Sequence, residues 1–304
     1  MHNERAHMPA NPPVEYLTRY DTMCDRAAAQ VIANYSTSFT LATRLLTGST
    51  KRDIRNLYAM VRIADEIVDG TAMAADVDPS TALDAYEAAV LAAPAVRFHT
   101  DPVLHAYAAS ARRCGFSPEH VRAFFASMRR DAAAQHSYSP QEFSEYVYGS
   151  AEVIGLMCVS VFVANDPAAA QLTTTTRERL DEGARALGSA FQKINFLRDY
   201  GEDRDVLGRT YFPQAAGITL DDAAKATLIT DIRADLHLAQ HAIPLLPASA
   251  RRGVTAAEAL FRELTDVLER TPADQLATTR ISVPTRRKLA VTARAMARKG
   301  SYDH

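Results

Sequence analysis

The 304 residues are 47% hydrophobic and set Lys+Arg 34 against Asp+Glu 36, a net charge of −2. That much apolar material supports a sizeable core and excludes a disordered chain. The balanced charge leaves no basic face of the kind nucleic acid demands, so no nucleic-acid partner is expected.

The first thirteen residues, MHNERAHMPANPP, are polar and proline-rich. They lack the apolar centre of a signal peptide and read as a disordered tail over 1–13. From residue 14 onward apolar residues recur at three- and four-residue steps and alanine is abundant, so the periodicity is helical nearly throughout. Helices are expected at 14–34, 51–70, 79–93, 101–114, 117–135, 140–165, 176–204, 220–243, 249–270 and 284–299. Breaks fall at LTGST (46–50), CGFSP (114–118), ANDP (164–167), FPQAAG (212–217) and LPASA (246–250). No alternating strand or Asn-Gly hairpin signal interrupts them. The longest apolar run, VIGLMCVSVFVA (153–164), is shorter than the about 20 residues of a membrane span. Cys24, Cys114 and Cys158 fit no zinc spacing, and their odd number argues against a disulfide framework. One cytosolic all-α domain over 14–300 is therefore expected, with short loops between antiparallel neighbours.

Two of these helices are unusual. In LYAMVRIADEIVDG (57–70), Tyr58, Arg62, Asp65 and Asp69 fall within about 60° of one another at roughly 100° per residue. Most of the remaining circumference is apolar, as in a buried helix. Unpaired carboxylates there are costly, so they should face a metal, a cation or a wet cavity. In QKINFLRDYGEDRD (192–205), Gln192, Asn195, Asp199 and Asp203 share one face within about 80°, flanked by Arg198 and Glu202. If the two rows face each other, they offer hard oxygen ligands without His or Cys, a set that suits magnesium or manganese. Arg62, Arg198, Lys193 and Arg209 stand ready to meet phosphate charge. The chemistry implied is metal-assisted departure of a diphosphate from an apolar, aromatic-lined cavity.

These stretches carry a resemblance. YSTSF (35–39), YAMVRIADEIVD (58–69), YVYGSAEVIG (146–155), QKINFLRDYGED (192–203) and GRTYFP (208–213) resemble, in order and separation, the squalene and phytoene synthase family of head-to-head isoprenyl diphosphate synthases. The resemblance covers about residues 20–300. It implies a single-domain all-α isoprenoid-synthase bundle around a central cavity. It also implies a two-step reaction, in which one allylic diphosphate alkylates a second to a cyclopropylcarbinyl diphosphate that ionises again and rearranges. By position, Asp65 and Asp69 match the first metal-binding motif. Asn195, Asp199 and Asp203 match the second. Tyr58, Arg62, Gln192 and Arg198 match diphosphate-holding positions. Ser36 and Ser38, beside Tyr35 in what reads as a loop over the site, match further diphosphate contacts. Tyr146 matches a tyrosine facing the reacting carbons, and Arg209 and Tyr211 close the second motif. Asp131 is expected to border the site.

Two positions depart from the family pattern. Glu152 stands where many relatives have a small residue, and must turn out of the tunnel or find a partner. Phe261 replaces a tyrosine that often approaches the diphosphate. Gly155 is expected to serve close helix packing. The basic stretch 283–299 reads as a solvated helix face, with peripheral contact to anionic lipid as the alternative.

Three features favour phytoene from two geranylgeranyl diphosphates: the lack of a C-terminal membrane anchor, the likeness of NFLRD with GRTYFP to bacterial carotenoid enzymes, and the small Thr43 on the tunnel-lining segment. The alternative is squalene or dehydrosqualene from farnesyl diphosphate; only squalene would call for NADPH. A non-catalytic protein of this fold would be expected to lose the acids, which are all present. The oligomeric state leaves no mark in the sequence.

Overall fold

The computed structural model describes residues 14–133, 138–205, 208–213 and 220–297. The tail expected over 1–13, most of the break at 212–217 and the last residues of the expected 284–299 helix lie outside them. The described residues contain helices and no strand.

In chain order the helices are α1 (Val14–Tyr35), α2 (Thr37–Thr43), α3 (Gly48–Val68), α4 (Thr71–Ala74), α5 (Pro79–Ala92), α6 (Pro102–Cys114), α7 (Pro118–Ala132) and α8 (Pro140–Val147). They continue with α9 (Val153–Ala164), α10 (Thr174–Arg198), α11 (Tyr200–Asp205), α12 (Asp222–Ala242), α13 (Ala248–Arg270), α14 (Ala273–Leu276) and α15 (Thr285–Ala297). The starts follow from capping chemistry. Asp78, Asp101, Ser117 and Ser139 each accept from a first-turn amide, and each is followed by a proline that needs no donor there. Ser139 and Glu142 complete a reciprocal capping box.

Three departures from expectation matter for the site. The YSTSF stretch is not all loop: Ser36 caps α2, its hydroxyl accepting from the Phe39 amide at 3.2 Å. The helix expected over 176–204 is interrupted at Asp199, whose φ of −101° and ψ of 9° end α10. The i→i−4 bonds continue across this kink, from Asp199 N to Asn195 O and from Asp203 N to Asp199 O, both at 2.9 Å. Between α8 and α9 one π turn, Tyr148–Glu152, absorbs an extra residue, a device frequent at functional sites.

α8, this turn and α9 make one continuous segment, Pro140–Ala164, long and apolar enough to cross a bilayer by length and composition, yet half buried against its neighbours. α9 runs antiparallel to α10 at backbone contact. A Cβ on Gly155 would collide with the Ala184 carbonyl, and one on Gly188 with that of Ala151. Gly155 therefore serves the close packing expected of it, and the pairs 155/184 and 151/188 fix the antiparallel register. Two apolar clusters flank the centre. One gathers Ile194, Leu197, Ile232, Leu264 and Leu268 from α10, α12 and α13. The other gathers Leu57, Met60, Tyr107, Phe124 and Met157 from α3, α6, α7 and α9.

Candidate active site

Between these clusters lies a cavity of about 1160 Å³, above the roughly 300–1,000 Å³ of ordinary small-ligand pockets. One face of α10 is its spine. Leu180, Ala184, Leu187, Gly188, Phe191, Gln192, Asn195 and Asp199 all line it, at helical spacing. The face passes from apolar at the start of the helix to polar at its end. The π turn and α9 supply the facing stripe Ala151, Ile154, Gly155, Cys158, Val159 and Phe162.

The polar end is built from two helix C-termini. Asp69 ends α3, and Asp199 ends α10. Helix C-termini carry partial negative charge, which favours cations there. Asp65, Asp69, Asn195, Asp199 and Asp203, on α3 and on α10–α11, all line the same cavity, as do Arg62, Arg198 and Arg209. The two rows sense each other. Burial and the neighbouring charge of Asp69 push the Asp65 carboxyl up to about 8. Burial and Asp199, with further contributions from Asp69 and Asp131 on the other side, push Asp203 up to about 8. Arginines share this field. Arg62 lies 3.6 Å from both Asp65 and Asp69 and pairs with Glu66. Arg209, buried, reaches Asp69 at 3.2 Å and donates to the Val68 carbonyl at 2.7 Å. Arg198 pairs with Asp199, its Nε donating at 2.9 Å. With guanidinium groups among the acids, no three His, Cys, Asp or Glu among the described residues are grouped so as to hold an ion. The donor set nevertheless fits a hard divalent cation: every candidate ligand is oxygen, and the Asn195 Oδ1 is buried without a hydrogen-bond partner.

Tyr146 and Tyr211, both buried, donate to the two oxygens of Asp131 at 2.7 and 3.1 Å. Burial holds this carboxyl up at about 6, against the lowering pull of Arg209 and the two hydroxyls. Tyr211 stacks on Phe196 with ring centres 4.0 Å apart. Further along the wall, Phe191 stacks on Phe261 at 3.8 Å, with Phe39 beside both and Tyr58 beyond it. Burial, with the charge of Asp65, pushes the Tyr58 hydroxyl up to about 12, so it is a donor at neutral pH. The aromatic faces present negative quadrupole density to the interior. At the mouth the Tyr35 ring lies under the Arg62 guanidinium at 4.4 Å. Ser36 and Ser38 line the cavity edge, as does Gln192.

Lys193 does not belong to this group. It turns to the far face of α10, into α12, where it pairs with Asp231 and, at 2.9 Å, with Asp235. Glu152 finds a partner in Arg185 Nε at 2.7 Å. Thr43 lines the cavity. Two cations escaped the sequence reading. Arg280 reaches Asp199 at 2.8 Å. Lys288, on α15, lines the mouth and donates to Thr37 Oγ1 at 2.8 Å. The stretch 283–299 is therefore not wholly a solvated face. Neither residue sits in a local motif that would have marked it.

Comparison with known proteins agrees with this geometry. The family model described as "Squalene/phytoene synthase" matches residues 32–287. Phytoene synthase 3, chloroplastic, of Zea mays is 30% identical over 284 residues, covering 88% of this chain and 64% of that protein. The chain thus spans about three fifths of the length of such plant relatives. The 15-cis-phytoene synthase of Synechococcus elongatus is 30% identical over 286 residues, covering 88% of this chain and 91% of that one. Among solved structures, a dehydrosqualene synthase superposes with a TM-score of 0.76 at 20% identity, covering 96% of this chain and 100% of that chain. A squalene synthase from Alicyclobacillus acidocaldarius gives 0.68 at 22% identity, over 85% and 96%. The all-α architecture is the one these structures share, and the chain belongs to the squalene/phytoene synthase family.

Proposed function

We propose that this chain is a prenyltransferase that joins two allylic isoprenyl diphosphates head to head, using geranylgeranyl diphosphate and yielding phytoene by way of a cyclopropylcarbinyl diphosphate. One observation carries the reading: two acid-bearing helix ends line the polar end of a single large cavity whose other end is apolar. Asp65, Asp69, Asn195, Asp199 and Asp203 would hold divalent magnesium, or manganese, which supplies Lewis-acid neutralisation of a departing diphosphate.

The chain's own groups do the rest. Arg62, Arg198 and Arg209, with Arg280 and Lys288, offer fixed positive charge to diphosphate oxygens. Tyr58, Gln192, Ser36, Ser38 and Tyr35 edge the same space and offer hydrogen bonds. The aromatic rings of Phe39, Phe191, Phe196 and Phe261 stabilise developing carbocation charge while the apolar walls exclude water. Tyr146 and Tyr211, fixed by Asp131, set the wall beside the reacting carbons. The length of the α10 face supports the longer substrate. Asn195 and Leu180 are fifteen residues apart on it, about 22 Å at about 1.5 Å per residue.

Arg286, Arg287 and Arg294 with the exposed Leu289 on α15, beside the mouth, support peripheral contact with anionic lipid. Sedimentation with anionic but not neutral vesicles tests that contact.

The reading is tested by mass analysis of the products that purified protein makes from C15 or C20 allylic diphosphate with magnesium, with and without NADPH. A C40 hydrocarbon from the C20 substrate is expected. A C30 product made only from the C15 substrate would replace phytoene by squalene or dehydrosqualene. No condensation product from either would refute the enzyme reading.

A further inference from the structure

A second hollow lies where α1 packs against α6, and it shares no lining residue with the central cavity. Its volume is about 350 Å³, at the lower end of small-ligand pockets. Asp21 of α1, Ala109, Arg112 and Arg113 of α6, and Arg97 of the connection between α5 and α6 line it. Ala109, Arg112 and Arg113 stand at i, i+3 and i+4, so the small alanine leaves the space that the two guanidinium groups border.

Two of the three arginines are fastened in place. Arg113 pairs with the buried Asp53 and donates to Ser110 Oγ at 3.2 Å. Arg112 Nη1 donates to the Val96 carbonyl at 2.7 Å and the Pro94 carbonyl at 3.4 Å. Arg97 has no ion-pair or side-chain hydrogen-bond partner among the described residues. The lining acid, Asp21, is engaged by His105 Nε2 at 2.7 Å. The helix dipole accounts for two cations in the last turn of α6. It does not account for a third, brought to them from outside the helix. Burial, and after it the charges of Arg97 and Arg113, hold the Arg112 guanidinium below its ordinary value, against the pull of Asp21. Like charges gathered in this way are relieved by an anion that meets them all.

We infer that this hollow binds a phosphate-bearing anion, with Arg112 and Arg113 as a fixed cradle and Arg97 as the arm that closes on it. Planar guanidinium forks match phosphate oxygens in pairs. The size of the hollow suits a soluble diphosphate. Val96 and Phe98, exposed on either side of Arg97, suit the same group carried by a lipid.

Arg97→Gln is the test, because the side chain is exposed and the fold does not lean on it. One arm is equilibrium dialysis with labelled inorganic diphosphate, in EDTA and at low ionic strength, where surface charge is least screened. The other is sedimentation with phosphatidate vesicles in the same buffer. Arg97→Gln should weaken one diphosphate site, or vesicle binding, at least about 10-fold, as loss of a charge-assisted contact does. Arg97→Lys, which keeps the charge without the fork, should fall between the two. A loss by dialysis identifies a soluble ligand, and a loss with vesicles alone a lipid headgroup. No binding in either arm, or binding that Arg97→Gln leaves unchanged in both, overturns the inference. Turnover of the C20 allylic diphosphate with magnesium should stay within about 2-fold of the wild-type chain. A loss of turnover in step with the loss of diphosphate binding would place the effect in the central cavity and overturn the inference as well.

Discussion

Lys193→Ala tests which face α10 turns to the substrate. Lys193 is 9% exposed and holds two carboxylates, Asp235 at 2.9 Å and Asp231 beside it, and Asp235 also accepts from Ser189 Oγ at 2.7 Å. Breaking a fully buried pair costs about 3–5 kcal/mol because a charge is left unpaired. Here Asp231 is half in water and relaxes into it, while Asp235 keeps one donor. Discounting for that screening leaves about 2–3 kcal/mol. At roughly 2–4 °C per kcal/mol for a chain of this size, the melting temperature should fall by about 4–12 °C. KM for the diphosphate substrate should change less than about 2-fold, since the ammonium lies away from the cavity. Thermal melting and steady-state kinetics on one preparation measure both. An unchanged melting temperature with a KM raised 10-fold would show that Lys193 faces the substrate and that the assigned face of α10 is wrong.

Asp65→Ala and Asp199→Ala should each lower turnover by at least about 10³-fold with the fold retained, as loss of a preorganised ligand does in comparable sites; near-wild-type rates by diphosphate release would contradict the assignment. Thr43→Phe adds a ring at a lining position and should move the product distribution toward shorter chains, read by mass spectrometry. Asp131 titrates near 6 in the folded chain against an ordinary 3.8, so burial favours its protonated form. Its contribution to stability is complete below about 3.8 and is lost as pH rises through about 6. Melting with chelator present should therefore show the stability difference between the wild-type chain and Asp131→Asn shifting across that window, and a pH-independent difference would contradict the shift.

Much of the architecture was legible because long helices announce themselves by periodicity and caps. The expected 79–93 and 101–114 become Pro79–Ala92 and Pro102–Cys114, each held by an aspartate before a proline. α2 looks like loop in the sequence because seven residues rich in Thr and Ser have weak helical preference; the Ser36 cap and packing on α13, α1 and α3 hold them as helix. The kink at Asp199 has only Gly201, two residues on, to mark it, and a lone glycine is tolerated within a helical pattern. Lys193 neighbours the phosphate-facing cations in sequence, yet it lies roughly 160° around the helix from Asn195, which puts it on the opposite face. Arg280 and Lys288 reach the mouth from the far end of the chain, a tertiary juxtaposition that no local pattern encodes. Glu152 found Arg185 for the same kind of reason: the partner sits on the helix packed against it.

The central claim is that the α3 and α10–α11 acids hold divalent metal together at the mouth of an apolar cavity. Diffraction from crystals grown with manganese and an unreactive thiodiphosphate, recorded at the manganese absorption edge, tests it most directly. Anomalous peaks ligated by Asp65 or Asp69 on one side and by Asn195 or Asp199 on the other are the predicted result. A bound thiodiphosphate with no metal between those two rows would contradict the account.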